Sequence, residues 1–197
     1  MLPLCCLSAT IVVLGDSLSA GYGLQVGEEW PALLDKRLSD NGFNGFRVVN
    51  ASISGETTSG GLARLDAILQ RQQPALLLLQ LGANDGLRGQ PLDLMRSNLA
   101  QIIERARQAG AQVVLLGIRI PPNYGSRYST AFFNTYAELA GQYRLPVLPF
   151  LLEGVAGNDT LMQNDGLHPT ADAQPIILDN VWQALRPLLG EPGHNNS

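Results

Sequence analysis

Five short apolar runs recur along the chain at near-regular intervals, each followed by a stretch with helical spacing. "TIVVLG" (10–15), "FRVVNA" (46–51), "ALLLLQLG" (75–82) and "QVVLLGI" (112–118) read as strands, and "LPVLPF" (145–150) as a short fifth. Most are apolar throughout rather than alternating, the pattern of parallel strands covered on both faces. Between them, Trp30, Leu33, Leu34 and Leu38 share a helical face that opens at Glu28 and Glu29 and stops at Asn41-Gly42. Leu92, Met95, Leu99, Ile102, Ile103 and Ala106 form a second stripe, ended by Gly110. Residues 57–72, 128–143 and 172–189 complete the helices, with Pro175 admissible only in the first turn of the last. A β-α alternation of this kind predicts an α/β fold, an open parallel sheet with helices on both faces. In such sheets ligands bind beyond the carboxyl ends of the strands, at a topological switch point.

A chain of 197 residues, 45% hydrophobic, suits one domain that buries roughly 70% of its unfolded surface. That domain is expected over residues 10–190, with residues 1–9 as an N-terminal stub and 191–197 as a disordered tail. The formal charge of -4 and the absence of a basic run argue against nucleic acid as a partner and against steering to an anionic membrane. No apolar run approaches the ~18 residues of a membrane span, so no stable membrane anchor is expected. The two cysteines, Cys5 and Cys6, are adjacent, a spacing poorly suited to a structural disulfide. With His168 the one histidine of the body, a histidine/cysteine metal site has too few ligands. The start "MLPLCCLSAT" resembles the back half of a secretory leader without its basic region. Two locations follow as expectations: periplasmic or secreted, with a cytoplasmic alternative.

Four loops after strands hold polar residues suited to chemistry. In "GDSLSAGYG" (15–23), Ser17 falls near a possible helix N-terminus, where free backbone N–H groups favour a developing negative charge. A lone serine in that place usually caps a helix. The loop lacks the lysine of a phosphate loop, the third glycine of a dinucleotide fingerprint and the second glycine of an α/β-hydrolase elbow. In "ASISGETTSGG" (51–61), Gly55 would let its N–H approach a ligand with no Cβ in the way. In "LGANDGLRG" (81–89), Asn84 offers an amide donor, although Asn-Asp-Gly also suits a plain turn. In "NDGLHPT" (164–170), Asp165 can accept from one ring nitrogen of His168, leaving the other for a serine hydroxyl. Pro169 is placed to begin a helix. Singly, each has a bland explanation. Together they supply a nucleophile, oxyanion donors and a base with an orienting carboxylate, the parts of a serine hydrolase.

"GDSLS", Gly55 in "NASISGETTSGGLARL", "GAND" and "DGLHP" resemble the four blocks of the SGNH (GDSL-type) hydrolases. "LGDSLSAGYG", "NDGLRG", "RIPPNYGSRY" and "DGLHPTADAQP" are similar to the bacterial thioesterase I/protease I/lysophospholipase L1 group, also described as arylesterases. The resemblance runs from about Thr10 to about Leu189. It implies the SGNH fold, a three-layer α/β/α flavodoxin-like sandwich with a five-stranded parallel sheet. It further implies Ser17 as nucleophile, His168 as general base and acid, and Asp165 as its orienting carboxylate. The oxyanion hole would be the Ser17 and Gly55 N–H groups with the Asn84 amide. No metal or organic cofactor is implied. The substrates would be small acyl esters and thioesters, the enzyme a monomer.

The long segments 86–95 and 119–133 shape the acyl site in the related thioesterases. Here they carry Leu87, Leu92, Ile120, Pro121, Tyr124, Tyr128 and Phe132. Leu87, Ile120, Pro121 and Tyr124 are the expected substrate contacts. Helical spacing turns Leu92 and Phe132 toward the core instead. Two other functions remain open: a carbohydrate acetylesterase on the same fold, which needs a polar, open cleft, and a non-catalytic flavodoxin-like module binding a small anion or nucleotide.

Overall fold

The computed structural model describes residues 9–192. Of the expected stub (1–9) and tail (191–197), residues 1–8, with Cys5 and Cys6, and 193–197, with His194, lie outside the described residues, while Ala9 already belongs to the first strand. The five apolar runs form one all-parallel sheet of β1 (Ala9–Gly15), β2 (Phe46–Asn50), β3 (Leu76–Gln80), β4 (Gln112–Leu116) and β5 (Val147–Leu148), in the order β2-β1-β3-β4-β5. Every residue of β3 is buried, which demands cover on both faces.

The cover comes from two groups of helices. α1 (Ser17–Ala20) is a single turn after β1, followed by α2 (Trp30–Asp40), α3 (Thr58–Gln72) and the short α4 (Ala83–Leu87). Then come α5 (Leu92–Gln108), α6 (Ser126–Tyr143) and α7 (Gln174–Leu185). α2 packs on α7, while α3 packs on α5 and α5 on α6, so the two sides of the sheet are each clad. The apolar stripes read from spacing are the buried faces: Trp30, Leu34 and Leu38 on α2, and Met95, Leu99, Ile102, Ile103 and Ala106 on α5. Phe132 is fully buried and Leu92 packs against the core.

Three local expectations change. Strand β5 has only two residues, because Pro146 and Pro149 flank it and neither can donate to a ladder. The last helix is broken into a 3-10 turn at Ala171–Ala173, α7 itself with Pro175 in its first turn, and a second 3-10 turn at Arg186–Leu188. Pro169 does not begin a helix. It pairs with Met162 in an isolated antiparallel bridge, where Gln163 N donates to His168 O at 2.7 Å and Thr170 N to Leu161 O at 2.9 Å. The histidine therefore sits on a small hairpin, not at a helix entry.

The first strand lies between β2 and β3, so the chain leaves β1 toward one edge and returns to the other side of it. That reversal is the switch point. The loops after β1, β2 and β3 converge there.

Candidate active site

The loop after β1 is fixed from below by a buried polar network. Asp16, fully buried, caps α1 by accepting from Leu18 N at 3.0 Å. Gln80, the last residue of β3, donates through Nε2 to the same Asp16 oxygen at 3.0 Å. Its carbonyl oxygen accepts from Asp16 N at 3.2 Å and from Ser19 Oγ at 2.6 Å. A Cβ at Gly15 would lie 2.7 Å from the Gln80 carbonyl oxygen and 2.8 Å from Ser19, so close approach makes glycine necessary there. Since Asp16 does the capping, the Ser17 hydroxyl is left for other work.

That hydroxyl faces His168. His168 Nε2 lies 2.9 Å from Ser17 Oγ, and His168 Nδ1 lies 2.6 Å from Asp165 Oδ2. The other Asp165 oxygen accepts from Leu167 N at 2.9 Å and His168 N at 3.0 Å, which closes the tip of the hairpin. The hydrogen bond to the imidazole, then those from the two backbone N–H groups, pull the Asp165 carboxyl down to about 2. Asp165 is thus an anion throughout the neutral range, and the tautomer with Nδ1 protonated is favoured. The Tyr22 ring lies against the imidazole, centroids 4.3 Å apart and tilted by 36°. Gln163 ties the hairpin to the Tyr22 loop by donating to Tyr22 O at 2.8 Å.

Three donor groups in these loops each keep a hydrogen with no protein acceptor among the described residues. Among the described residues, the backbone N–H groups of Ser17 and Gly55 donate to no protein atom. The Asn84 amide spends one hydrogen on Glu56 O at 2.9 Å, which leaves its second one free. Gly55 has φ +79°, and a Cβ there would meet nothing within 4 Å. Left-handed backbone, not crowding, therefore requires glycine at this position. Arg88 Nη2 donates to Gly55 O at 3.2 Å, so carbonyls on both sides of the Gly55–Glu56 peptide are held. Behind them, buried Asp85 accepts from Thr58 N at 2.9 Å and Thr58 Oγ1 at 2.6 Å, clamping α3 to α4.

Beside Ser17 and His168 opens a cavity of about 210 Å³, lined by Leu18, Leu87, Ile118, Ile120, Pro121, Leu152 and Leu167, with Asn84 and Arg119 also on its wall. Leu87, Ile120 and Pro121 are thus brought to Ser17. Tyr124 is not: it lines a separate, open groove with Leu92, Arg127 and Tyr128. The turn at Pro122–Tyr124 carries it away from the cavity. Tyr22, Gln80, Arg88 and Arg119 were missed by the sequence reading. For the last two, an arginine inside a loop already singled out was the one available signal. Among the described residues no three His, Cys, Asp or Glu side chains gather into a set able to hold a metal ion.

Burial pushes the Asp16 carboxyl up to about 6, against the lowering effect of its bonds to Leu18 and Gln80. Its Oδ2 is buried without a partner. A carboxyl whose folded pKa is raised binds its proton more tightly in the native state, so its stabilisation is greatest at low pH and is lost as pH rises through about 6. Asp16→Asn cannot titrate. Its melting temperature relative to wild type is expected to improve between about pH 4 and pH 7, measured by thermal melts at each pH. An offset that stays constant across this range contradicts the raised value.

An acid, an imidazole and a hydroxyl in series beside unengaged amide donors is the layout that acyl transfer through serine requires. A model of the GDSL-like lipase/acylhydrolase family matches residues 13–175, and the chain belongs to that family. It is 53% identical over 180 residues to an esterase, TesA, of Pseudomonas aeruginosa, covering 91% of this chain and 89% of that one. It is 46% identical to thioesterase 1/protease 1/lysophospholipase L1 of Escherichia coli K12, covering 91% of this chain and 85% of the other. Among solved structures, the psychrotrophic esterase EstA from a Pseudoalteromonas species, inhibited by monoethylphosphonate, superposes with a TM-score of 0.87. It is 42% identical, over 92% of this chain and 99% of EstA.

Proposed function

We propose that the protein is a serine hydrolase that cleaves carboxylic esters and thioesters through an acyl-serine intermediate. The observation that carries this reading is the series Asp165 Oδ2 to His168 Nδ1 at 2.6 Å and His168 Nε2 to Ser17 Oγ at 2.9 Å. Neutral His168 takes the Ser17 proton as Oγ attacks the acyl carbonyl. The oxyanion forms against the Ser17 and Gly55 N–H groups and the free hydrogen of Asn84. His168 then gives its proton to the leaving group, and water repeats the sequence to release the acid. Asp165, already ionised, holds the ring and offsets its transient charge. The names of the relatives, esterase and thioesterase, support the same substrate class.

The cavity favours an acyl chain over acetyl. Its walls are mostly aliphatic, where a carbohydrate acetylesterase needs a polar, open cleft. One copy of the chain supplies every member of the site, so a monomer is sufficient. Among the described residues no helix is long and apolar enough to cross a membrane, and the reading has a dissolved enzyme meeting dispersed or micellar substrates. Export rests on the apolar start of the sequence.

The test is hydrolysis of p-nitrophenyl acetate, butyrate, octanoate and palmitate, together with labelling by an organophosphate. Turnover of medium-chain esters above acetate, and a single adduct mapped to Ser17, are expected. Acetate preferred over every longer ester supports the acetylesterase instead. No turnover and no adduct leave the binding-module reading standing.

A further inference from the structure

Charge is unevenly divided around His168. On the Tyr22 side lies a cavity of about 620 Å³ whose lining includes the carboxylates Glu28 and Asp165 and no basic residue. On the other side, the lining of the cavity at Ser17 includes Arg119 and no carboxylate. Among the described residues the Arg119 guanidinium has no ion pair and no hydrogen bond. Yet it is placed: it lies over the ring of Phe133 at 4.3 Å and over that of Phe150 at 4.9 Å. Ring contacts hold the plane of a guanidinium while its edge N–H groups stay available, the fork that fits a carboxylate or phosphate. In a chain of net charge -4, an unpaired cation on the wall of the Ser17 cavity steers anions to that side and away from the acidic one.

We propose that Arg119 is a specificity residue that binds an anionic group, phosphate or carboxylate, carried by the substrate. This inference rests on the hydrolase reading and narrows it: among esters and thioesters of similar acyl chain, those bearing an anion within reach of Arg119 are preferred. The anion can sit on the leaving group or at the far end of the acyl chain.

Three substrates separate the cases: neutral p-nitrophenyl octanoate, octanoyl-coenzyme A with its phosphates on the leaving group, and the mono-p-nitrophenyl ester of suberic acid with its carboxylate at the acyl end. The readout is the selectivity ratio, kcat/KM on each anionic substrate divided by that on the neutral ester. Arg119→Gln is expected to lower at least one ratio by about tenfold or more, and Arg119→Lys, which keeps the charge but not the fork, to retain part of it. A fall confined to octanoyl-coenzyme A puts the anion on the leaving group, and one confined to the suberate ester puts it on the acyl end. Should Arg119→Gln not fold, added salt on the wild type must lower the same ratio. Ratios unmoved by substitution and by salt overturn the proposal, even if all rates fall together. So does a wild type that cleaves the neutral ester and neither anionic one. A wild type inert on the neutral ester as well sinks the hydrolase reading itself, a distinct result.

Discussion

Ser17→Ala is expected to lower kcat/KM on p-nitrophenyl butyrate by about 10³-fold or more, with the melting temperature little changed. The hydroxyl makes its one side-chain hydrogen bond to His168, while the loop that carries it is held by Asp16, Gln80 and Ser19. Removing Oγ therefore removes the proposed nucleophile and leaves its support. If the three side chains act as one unit, Ser17→Ala/His168→Ala is no slower than either single variant, because a base with nothing to deprotonate contributes nothing further. Multiplying losses in the double variant mean that Ser17 and His168 act separately, and a Ser17→Ala enzyme close to wild type rejects the acyl-serine path.

Asn84→Ala is expected to lower kcat by about 10² to 10³-fold, with a far smaller change in KM. The amide has two hydrogens and one is already given to Glu56 O, so a single hydrogen is left to meet charge that develops only as the carbonyl is attacked. An interaction made only then appears in kcat. The lost bond to Glu56 adds a second, smaller effect by loosening Gly55, which Arg88 still holds through its carbonyl. A change confined to KM removes Asn84 from the oxyanion site and makes it a ground-state contact.

The layers and the strand ends were legible because they depend on local pattern. Unbroken apolar runs at β1, β3 and β4 cannot face water on either side, and i, i+3, i+4 stripes on α2 and α5 fix which face turns inward. The site was legible for a related reason: strand-end loops of a parallel sheet must meet, so polar residues in them can be grouped without coordinates. What stayed hidden depends on contacts far apart in sequence. Gln80 looks like the frayed end of an apolar strand, yet it is the buried partner of Asp16 and Ser19, 64 and 61 residues away. Tyr22 against His168 and Arg119 over Phe150 are equally nonlocal. Pro169 misled because proline favours both a helix start and a strand edge, and only the pairing with Met162 decides between them. Tyr124 misled because a three-residue turn is enough to send a side chain into the next groove.

Ser17 and His168, joined by a hydrogen bond in the fold, are 151 residues apart. On a ribosome adding about 5 to 20 residues each second, Ser17 is joined to the chain roughly 8 to 30 s before His168. Within that interval β1 and β3 are both completed and can pair, while the imidazole that faces Ser17 Oγ is still to come. On the acyl-serine reading, any product cut short before residue 168 is expected to hydrolyse no ester.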